Sequence, residues 1–285
     1  MSLLVKDVMV RDVAFVSIPG SRDDVLRTLQ ERKVSGVPVV KRGEVVGIIT
    51  RSDLLRNRDE DQTALLMTRD PVTVSPESSI VEAARLLLDH GIRRLPVVEE
   101  RRLVGIITVA DLVGVAADLK IRASIEPYIC REMLVLWSET PLPVAGAIME
   151  YADVQACPVI DTGLMLVGII SDRDLIKASV IEESVEKTDM SLDAGEDAWM
   201  WDRVMQTINK YYTVSRIQLR DIKVREAMVP PITAIKRSEV GECASIMRKR
   251  RIDQMPVVTS GQKLMGLLRD RDIVRALVDH YEGAP

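Results

Sequence analysis

The sequence predicts an α+β fold built from four tandem repeats of about 60 residues each. One strand-to-helix turn occurs as Gly47-Ile48-Ile49-Thr50-Arg51-Ser52-Asp53, Gly105-Ile106-Ile107-Thr108-Val109-Ala110-Asp111 and Gly168-Ile169-Ile170-Ser171-Asp172-Arg173-Asp174. It returns, altered, as Gly266-Leu267-Leu268-Arg269-Asp270-Arg271-Asp272. A second landmark precedes each copy: Val37-Pro38-Val39-Val40, Leu95-Pro96-Val97-Val98, Cys157-Pro158-Val159-Ile160 and Met255-Pro256-Val257-Val258. The prolines lie 58, 62 and 98 residues apart and the motif aspartates 58, 63 and 98 apart. Two landmarks in one register define a repeat, with an insertion of about 40 residues before the last copy.

Repeat 1 spans about residues 5–60. Val13 to Ser17 reads as a short strand, and Ser21-Arg22-Asp23-Asp24 starts a helix with Val25, Leu26 and Leu29 on its apolar face. Ser35-Gly36 is expected to end that helix. A strand follows at Val37 to Val40, then a tight turn at Arg42-Gly43-Glu44, a strand to Ile49 and a closing helix with Leu54 and Leu55. Repeat 2 has the same order: a strand at Val72 to Val74, a helix with Ile80, Ala83, Ala84, Leu87 and Leu88 inward, and His90-Gly91 at its end. Repeat 3, about residues 126–180, opens on Leu134 to Leu136 and carries Pro141 and Pro143 where a first helical turn accepts them. In the insertion, about 181–221, Trp201, Val204, Met205, Ile208 and Tyr212 fall at helical spacing and predict a packed helix. Repeat 4 runs from about 222 to 280. A unit this small has a marginal core, so pairing is expected, repeat 1 with 2 and repeat 3 with 4.

Composition narrows the function. The chain has 285 residues, 47% of them hydrophobic and 29% charged, as in soluble globular proteins. With aromatics at 3%, the core must come from Val, Ile, Leu, Met and Ala. No apolar run reaches the length of a membrane span, and the first residues lack the apolar stretch of a signal peptide, so a cytoplasmic location is expected. Cys130, Cys157 and Cys243 offer neither a disulfide framework nor metal-ligand spacing. The net charge of −4 gives no basic footprint for nucleic acid. It comes from residues 182–198, where seven acids face one base, leaving the rest about +2. No nucleophile elbow, P-loop or metal cluster appears, and the only histidines, His90 and His280, fall at helix ends. No catalytic residue is therefore assigned, and a non-enzyme is expected.

The Thr/Ser-x-x-Asp turn has two readings. One is a capping box, in which hydroxyl and carboxylate satisfy orphan N–H groups. In the other, the carboxylate accepts hydrogen bonds from a ribose diol while the helix N-terminus meets a phosphate. Repeat 4 suggests a second duty for the carboxylate, because Arg269 removes the hydroxyl and Asp272 stays, while Asp270 could still cap, so both readings stand. Arginines at Arg51, Arg173, Arg269 and Arg271, with Arg93 and Arg94 before the second Pro-strand, could neutralise phosphates.

These landmarks resemble the cystathionine β-synthase (CBS) domain, two of which pair into a Bateman module. The four-repeat arrangement resembles the γ subunit of AMP-activated protein kinase and stand-alone archaeal four-repeat proteins; Ala198-Trp199-Met200-Trp201 is similar to that archaeal group. The resemblance implies small mixed sheets packed with helices. It implies module 1 over residues 1–120 (CBS 1 about 5–60, CBS 2 about 65–120). Module 2 would cover 121–285 (CBS 3 about 122–180, a helical insertion about 181–221, CBS 4 about 222–280). It also implies an adenosyl ligand between paired repeats: AMP, ADP, ATP, S-adenosylmethionine, methylthioadenosine or NAD. Asp53, Asp111, Asp174 and Asp272 would hold ribose hydroxyls, and Thr50, Thr108 and Ser171 would contact the first phosphate or the backbone near it. Asp53 would work with Ile92, Arg93, Leu95 and Pro96, and Asp111 with Ser35, Gly36, Val37 and Pro38. Asp174 would face Gln254, Met255 and Pro256, and Asp272 would face Gln155, Ala156 and Pro158. Thr73 and Thr233 are further candidates for the purine edge.

The function expected is a non-catalytic sensor of adenine nucleotides that signals occupancy to a regulated protein. A sensor of S-adenosylmethionine, methylthioadenosine or NAD, or a ligand-free scaffold, is the alternative. A monomeric disc or a homodimer fits the family; no membrane contact or metal is implied.

Overall fold

A computed structural model describes residues 3–57, 60–185 and 213–283. Repeat 1 contributes α1 (Val5–Val8), β1 (Val16–Ser17), α2 (Arg22–Glu31), β2 (Gly36–Lys41), β3 (Glu44–Thr50) and α3 (Arg51–Arg56). Repeat 2 contributes α4 (Thr63–Leu66), β4 (Thr68–Arg69), α5 (Ile80–Asp89), β5 (Arg94–Glu99), β6 (Arg102–Thr108) and α6 (Val109–Asp118). Repeat 3 has a 3₁₀ turn (Glu126–Tyr128), β7 (Leu136–Trp137), α7 (Leu142–Tyr151), β8 (Ala156–Ile160), β9 (Leu166–Ser171) and α8 (Asp172–Ala178). After β10 (Ser179–Val185) and β11 (Thr213–Leu219), repeat 4 supplies α9 (Val224–Ala227), β12 (Ala234–Ile235), α10 (Val240–Arg250), β13 (Gln254–Val258), β14 (Leu264–Arg269) and α11 (Asp270–Glu282).

Local chemistry accounts for most boundaries. Ser21 caps α2, with its hydroxyl accepting from the Asp24 N–H at 3.3 Å and Asp24 answering to the Ser21 N–H at 3.0 Å. Arg42 and Gly43, both at positive φ, turn β2 into β3. The helix does not run on to Ser35-Gly36 as expected: α2 ends at Glu31, Lys33 takes the left-handed conformation, and Gly36 already belongs to β2. Left-handed residues recur at Gly91, Asp153 and Arg251, each just past the corresponding helix. The strand expected at Val72 to Val74 shrinks to one parallel bridge, Val74 to Val97.

The chain divides into two compact units. One comprises residues 1–131, 233–257 and 266–285. Its main sheet runs β1-β2-β3-β6-β5 with β4 beside β3; β3 and β6 join through Glu44 and Arg102. Beneath it, Val16, Val25, Leu29, Val37, Val39, Ile49, Leu54 and Leu66 form a core around repeat 1. In the same unit α6 packs on α10 and α11, and α5 on α11.

The other unit comprises residues 132–232 and 258–265. Its sheet runs β7-β8-β9 over a core of Leu136, Leu142, Ala145, Met149, Cys157, Val159, Ile170 and Val224. The insertion, expected to be helical, is strand at both described ends. Ser179–Val185 pairs antiparallel with Thr213–Leu219 over seven residues each. The expected Trp201-to-Tyr212 helix face, Ala198-Trp199-Met200-Trp201 and most of the acidic stretch lie outside the described residues.

A device absent from the sequence reading links the repeats. A Cβ added at Gly47 would stand 2.5 Å from Met67 Sδ, and one at Gly105 2.5 Å from Met9 Sδ. At Gly168 it would meet Met228 Sδ at 2.3 Å, and at Gly266 Ile129 Cγ2 at 2.3 Å. Each motif glycine thus receives an apolar side chain from the leading segment of a different repeat. The exchange is reciprocal between repeats 1 and 2 and between repeats 3 and 4. Leu66 of α4 enters the core of repeat 1, and Val224 of α9 that of repeat 3.

Candidate nucleotide-binding cleft

The four turns share a backbone scaffold. The first helical N–H donates to the carbonyl just before the Pro-strand of the same repeat: Arg51 to Ser35 (3.1 Å), Val109 to Arg93 (3.0 Å), Asp172 to Gln155 (2.9 Å) and Asp270 to Asp253 (2.7 Å). Each aspartate is thereby set beside its own repeat's Pro-strand.

In three turns a single oxygen of the carboxylate makes all of its capping bonds. Asp53 Oδ2 accepts from the Thr50 N–H (2.8 Å) and hydroxyl (2.6 Å), and Asp111 Oδ2 from the Thr108 N–H (2.8 Å) and hydroxyl (2.6 Å). Asp174 Oδ2 accepts from the Ser171 N–H (3.0 Å) and hydroxyl (2.6 Å). The cap therefore uses Oδ2 of each carboxylate and does not call on Oδ1. For Asp174, Lys177 Nζ stands 3.8 Å from that oxygen.

The fourth turn corrects an expectation. Asp272 is not left without a capping partner. Arg269 donates its N–H (2.9 Å) and Nε (2.8 Å) to Oδ2 and its Nη2 (2.9 Å) to Oδ1. The guanidinium replaces the missing hydroxyl and occupies both oxygens of a carboxylate that is 1% exposed. The retention of Asp272 is thus explained by Arg269 itself.

A cleft of about 450 Å³ opens between repeats 1 and 2 in the first unit. Repeat 1 supplies Ser35 and Gly36 to it, and repeat 2 Arg93, Thr108 and Asp111, bringing together five residues singled out from the sequence. Arg94 also lines it, and Val109 and Ala110 add apolar wall. The sequence reading missed Val10, Asp12, Val13, Ala14, Arg32 and Lys33. A signal existed: Met9-Val10-Arg11-Asp12 recurs as Met67-Thr68-Arg69-Asp70, a third landmark in the same register. Arg32 pairs with Asp12 at 2.6 Å. With Lys33, Arg93 and Arg94 also present, four cationic side chains face Asp12 and Asp111.

Arg94 is the key group. Its Nη2 donates to Ser35 Oγ at 2.6 Å, while Nη1 is buried and finds no hydrogen-bond partner. A Cβ on Gly36 would stand 1.7 Å from Nη1, so glycine is what lets the guanidinium lie against β2. Burial foremost, then Arg93 and Arg51, push the Arg94 pKa down, and Asp53 opposes them. Burial holds Asp111 above the ordinary carboxylate range, against the Thr108 hydrogen bonds.

The other expected site residues lie elsewhere. Val37 and Pro38 are buried within β2, and Leu95 and Pro96 within β5. Thr50, Arg51 and Asp53 stand at the head of α3, and Thr73 and Ile92 are partly buried in repeat 2. In the second unit Ser171, Arg173 and Asp174 lie at the head of α8, with Ala156 opposite Ser171 and Pro158 further along β8. Gln155 gives its carbonyl to that turn. Thr233 precedes β12, and Gln254, Met255 and Pro256 open β13.

The paired turns, the Pro-strands and the cleft between two repeats define a CBS-domain protein, and the chain belongs to that family. The CBS domain model matches residues 5–60, 63–118, 125–181 and 221–279. MJ1225 of Methanocaldococcus jannaschii is 28% identical over 193 residues, 61% of this chain and 69% of that protein. Its crystal structure superposes with a TM-score of 0.69 at 22% identity, over 96% of this chain and all of that one, which speaks for the fold. A conserved protein of Pyrococcus horikoshii gives a TM-score of 0.70 at 27% identity, with the same coverage. Inosine-5'-monophosphate dehydrogenase of Korarchaeum cryptofilum is 36% identical over 106 residues, which span 36% of this chain and 22% of that enzyme. Among the described residues no helix is long and apolar enough to cross a membrane, and no group of three or more His, Cys, Asp or Glu could hold a metal.

Proposed function

We propose that the protein is a non-catalytic regulatory sensor whose cleft between repeats 1 and 2 takes an adenosyl ligand bearing phosphate. The observation that carries this reading is Arg94 Nη1, a buried donor with no acceptor in a cleft also lined by Asp111. A buried cationic donor is costly to leave unpaired, and a ligand phosphate supplies the acceptor it lacks. Asp111 Oδ1, left over by the cap, would take a ribose hydroxyl, with Ser35 and Gly36 walling the nucleoside. Arg94 also senses Asp53 and Arg51, so the turn of repeat 1 is the second candidate site. Asp174 is a further candidate. Asp272 is reserved by Arg269 and is the weakest. Binding would act by favouring one arrangement of the repeats, which a regulated protein then reads.

A second reading has its own support. Val109 and Ala110 stand in the repeat 2 turn where repeats 3 and 4 carry Asp-Arg, which suits an adenosyl ligand without phosphate, such as S-adenosylmethionine or methylthioadenosine.

A thermal-shift panel of AMP, ATP, S-adenosylmethionine and methylthioadenosine separates the two, because a ligand of the native state raises the melting temperature by mass action. The first reading expects a dose-dependent rise with AMP or ATP. Replacing Asp111 by Ala should weaken that ligand roughly tenfold to a hundredfold, the loss of charge-assisted hydrogen bonds of ~1.5–3 kcal/mol. A rise confined to the sulfur ligands transfers the assignment to the second reading, and no rise at all leaves a scaffold.

A further inference from the structure

We propose that Asp270, at the head of α11 in repeat 4, sets the ligand preference of the cleft between repeats 1 and 2 by competing with ligand phosphate for the Arg93 guanidinium. The inference rests on the reading of that cleft as an adenosyl site.

Arg93 lines the cleft, yet its fork is engaged elsewhere. Its Nη2 lies 2.5 Å from Asp270 Oδ2 and its Nη1 3.4 Å from Oδ1, with Asp253 Oδ2 3.6 Å from Nη2. The two partners differ in freedom. The Asp270 side chain is 8% exposed and that of Arg93 45%. Asp270 is also pinned: its N–H donates to the Asp253 carbonyl at 2.7 Å, and its Oδ1 accepts the Arg271 N–H at 2.8 Å. Any rearrangement therefore falls to Arg93.

A phosphate reaching the cleft finds one guanidinium, Arg94, with a free donor, and a second, Arg93, already neutralised. Taking Arg93 would leave a buried carboxylate with a weaker partner, which opposes the exchange. Burial already pushes the Asp270 pKa up and Arg93 holds it down, in keeping with a carboxylate that depends on this guanidinium. The result is a handicap on phosphate-bearing ligands that an uncharged nucleoside does not feel. The coupling is reciprocal: whatever Asp270 withdraws from phosphate binding, phosphate withdraws from the anchoring of α11. Repeat 4, whose own turn is filled by Arg269, thereby acts on the cleft of repeats 1 and 2.

Isothermal titration of AMP and adenosine into the wild type, Asp270→Asn and Arg93→Gln tests this on the full chain. Asp270→Asn keeps the shape and removes the charge. It should tighten AMP by about tenfold and leave adenosine within about twofold. Arg93→Gln should cut the preference for AMP over adenosine. Hydrogen exchange on the wild type provides a readout that needs no variant. AMP, and not adenosine, should speed exchange at the Asp270 and Arg271 amides. An unchanged AMP-to-adenosine ratio in Asp270→Asn, or AMP without effect at those amides, overturns the inference and leaves the adenosyl reading intact. A wild type that binds neither ligand removes that reading and the inference with it.

Discussion

Asp111 commits one carboxylate oxygen to its own helix and keeps the other for the cleft, and burial makes its charge conditional. Because its folded pKa is raised, the folded chain holds this proton more tightly than the unfolded one. Its contribution to stability is present below the usual aspartate range and is lost as pH rises through the raised value. Ligand affinity should run the other way, since the ionised form is the better acceptor. Adenosine, which carries no phosphate to titrate, should bind more weakly as pH falls from neutral, with the loss starting above the ordinary aspartate range. Asp111→Asn should flatten that profile in a calorimetric pH series; an identical slope in the variant would assign the titration to another group. Arg269 offers a second test. Arg269→Ala strips both oxygens of a buried carboxylate of their side-chain partner and should cost about 2–4 kcal/mol in denaturant unfolding. Arg269→Thr rebuilds the hydroxyl box of the other repeats and should cost clearly less. Equal losses would mean that the fork contributes packing and not pairing.

At the level of elements, the order strand, helix, strand, hairpin, strand, helix was legible in repeat 1 because glycine, proline and the Ser/Thr-x-x-Asp cap each act within a few residues. What the sequence hid acts at long range. Nothing near Gly105 announces that Met9, almost a hundred residues earlier, fills the space its missing side chain leaves. Likewise the loop Val10 to Ala14 lines the cleft because Val10 bridges to Ile106, a pairing fixed by the exchange of leading segments. Gly105→Ala should destabilise by about 1–3 kcal/mol through overpacking, towards the lower end because methionine adapts. In a Met9→Ala background the same substitution should cost much less, since the nearest clash is gone and only the Val10 carbonyl, at 3.2 Å, stays close. Additive losses in this double-mutant cycle would deny the contact any energetic role.

For the whole molecule, the period of the landmarks announced four repeats but not how the described residues divide. Helices α10 and α11 of repeat 4 belong with repeats 1 and 2 in one unit, while α9 stands with repeat 3 and the described insertion strands in the other. The helical period of repeat 4 records that α10 and α11 each have an apolar face. It does not record that α6 covers both, with α5 also on α11. This division gives a prediction about unfolding. The cleft lies wholly within the first unit, and a ligand stabilises only the cooperative block that contains its site. At a ligand concentration of about 100 times the dissociation constant, that block gains roughly 2.7 kcal/mol. Scanning calorimetry with increasing AMP should therefore broaden or split the transition, with the component that contains repeats 1 and 2 moving upward. In Asp111→Ala the same titration should move that component much less, by roughly 0.4–1.4 kcal/mol. If the whole transition moves as one, the two units unfold together. If only the component containing repeat 3 moves, the ligand sits at the Asp174 turn and the cleft between repeats 1 and 2 loses its assignment.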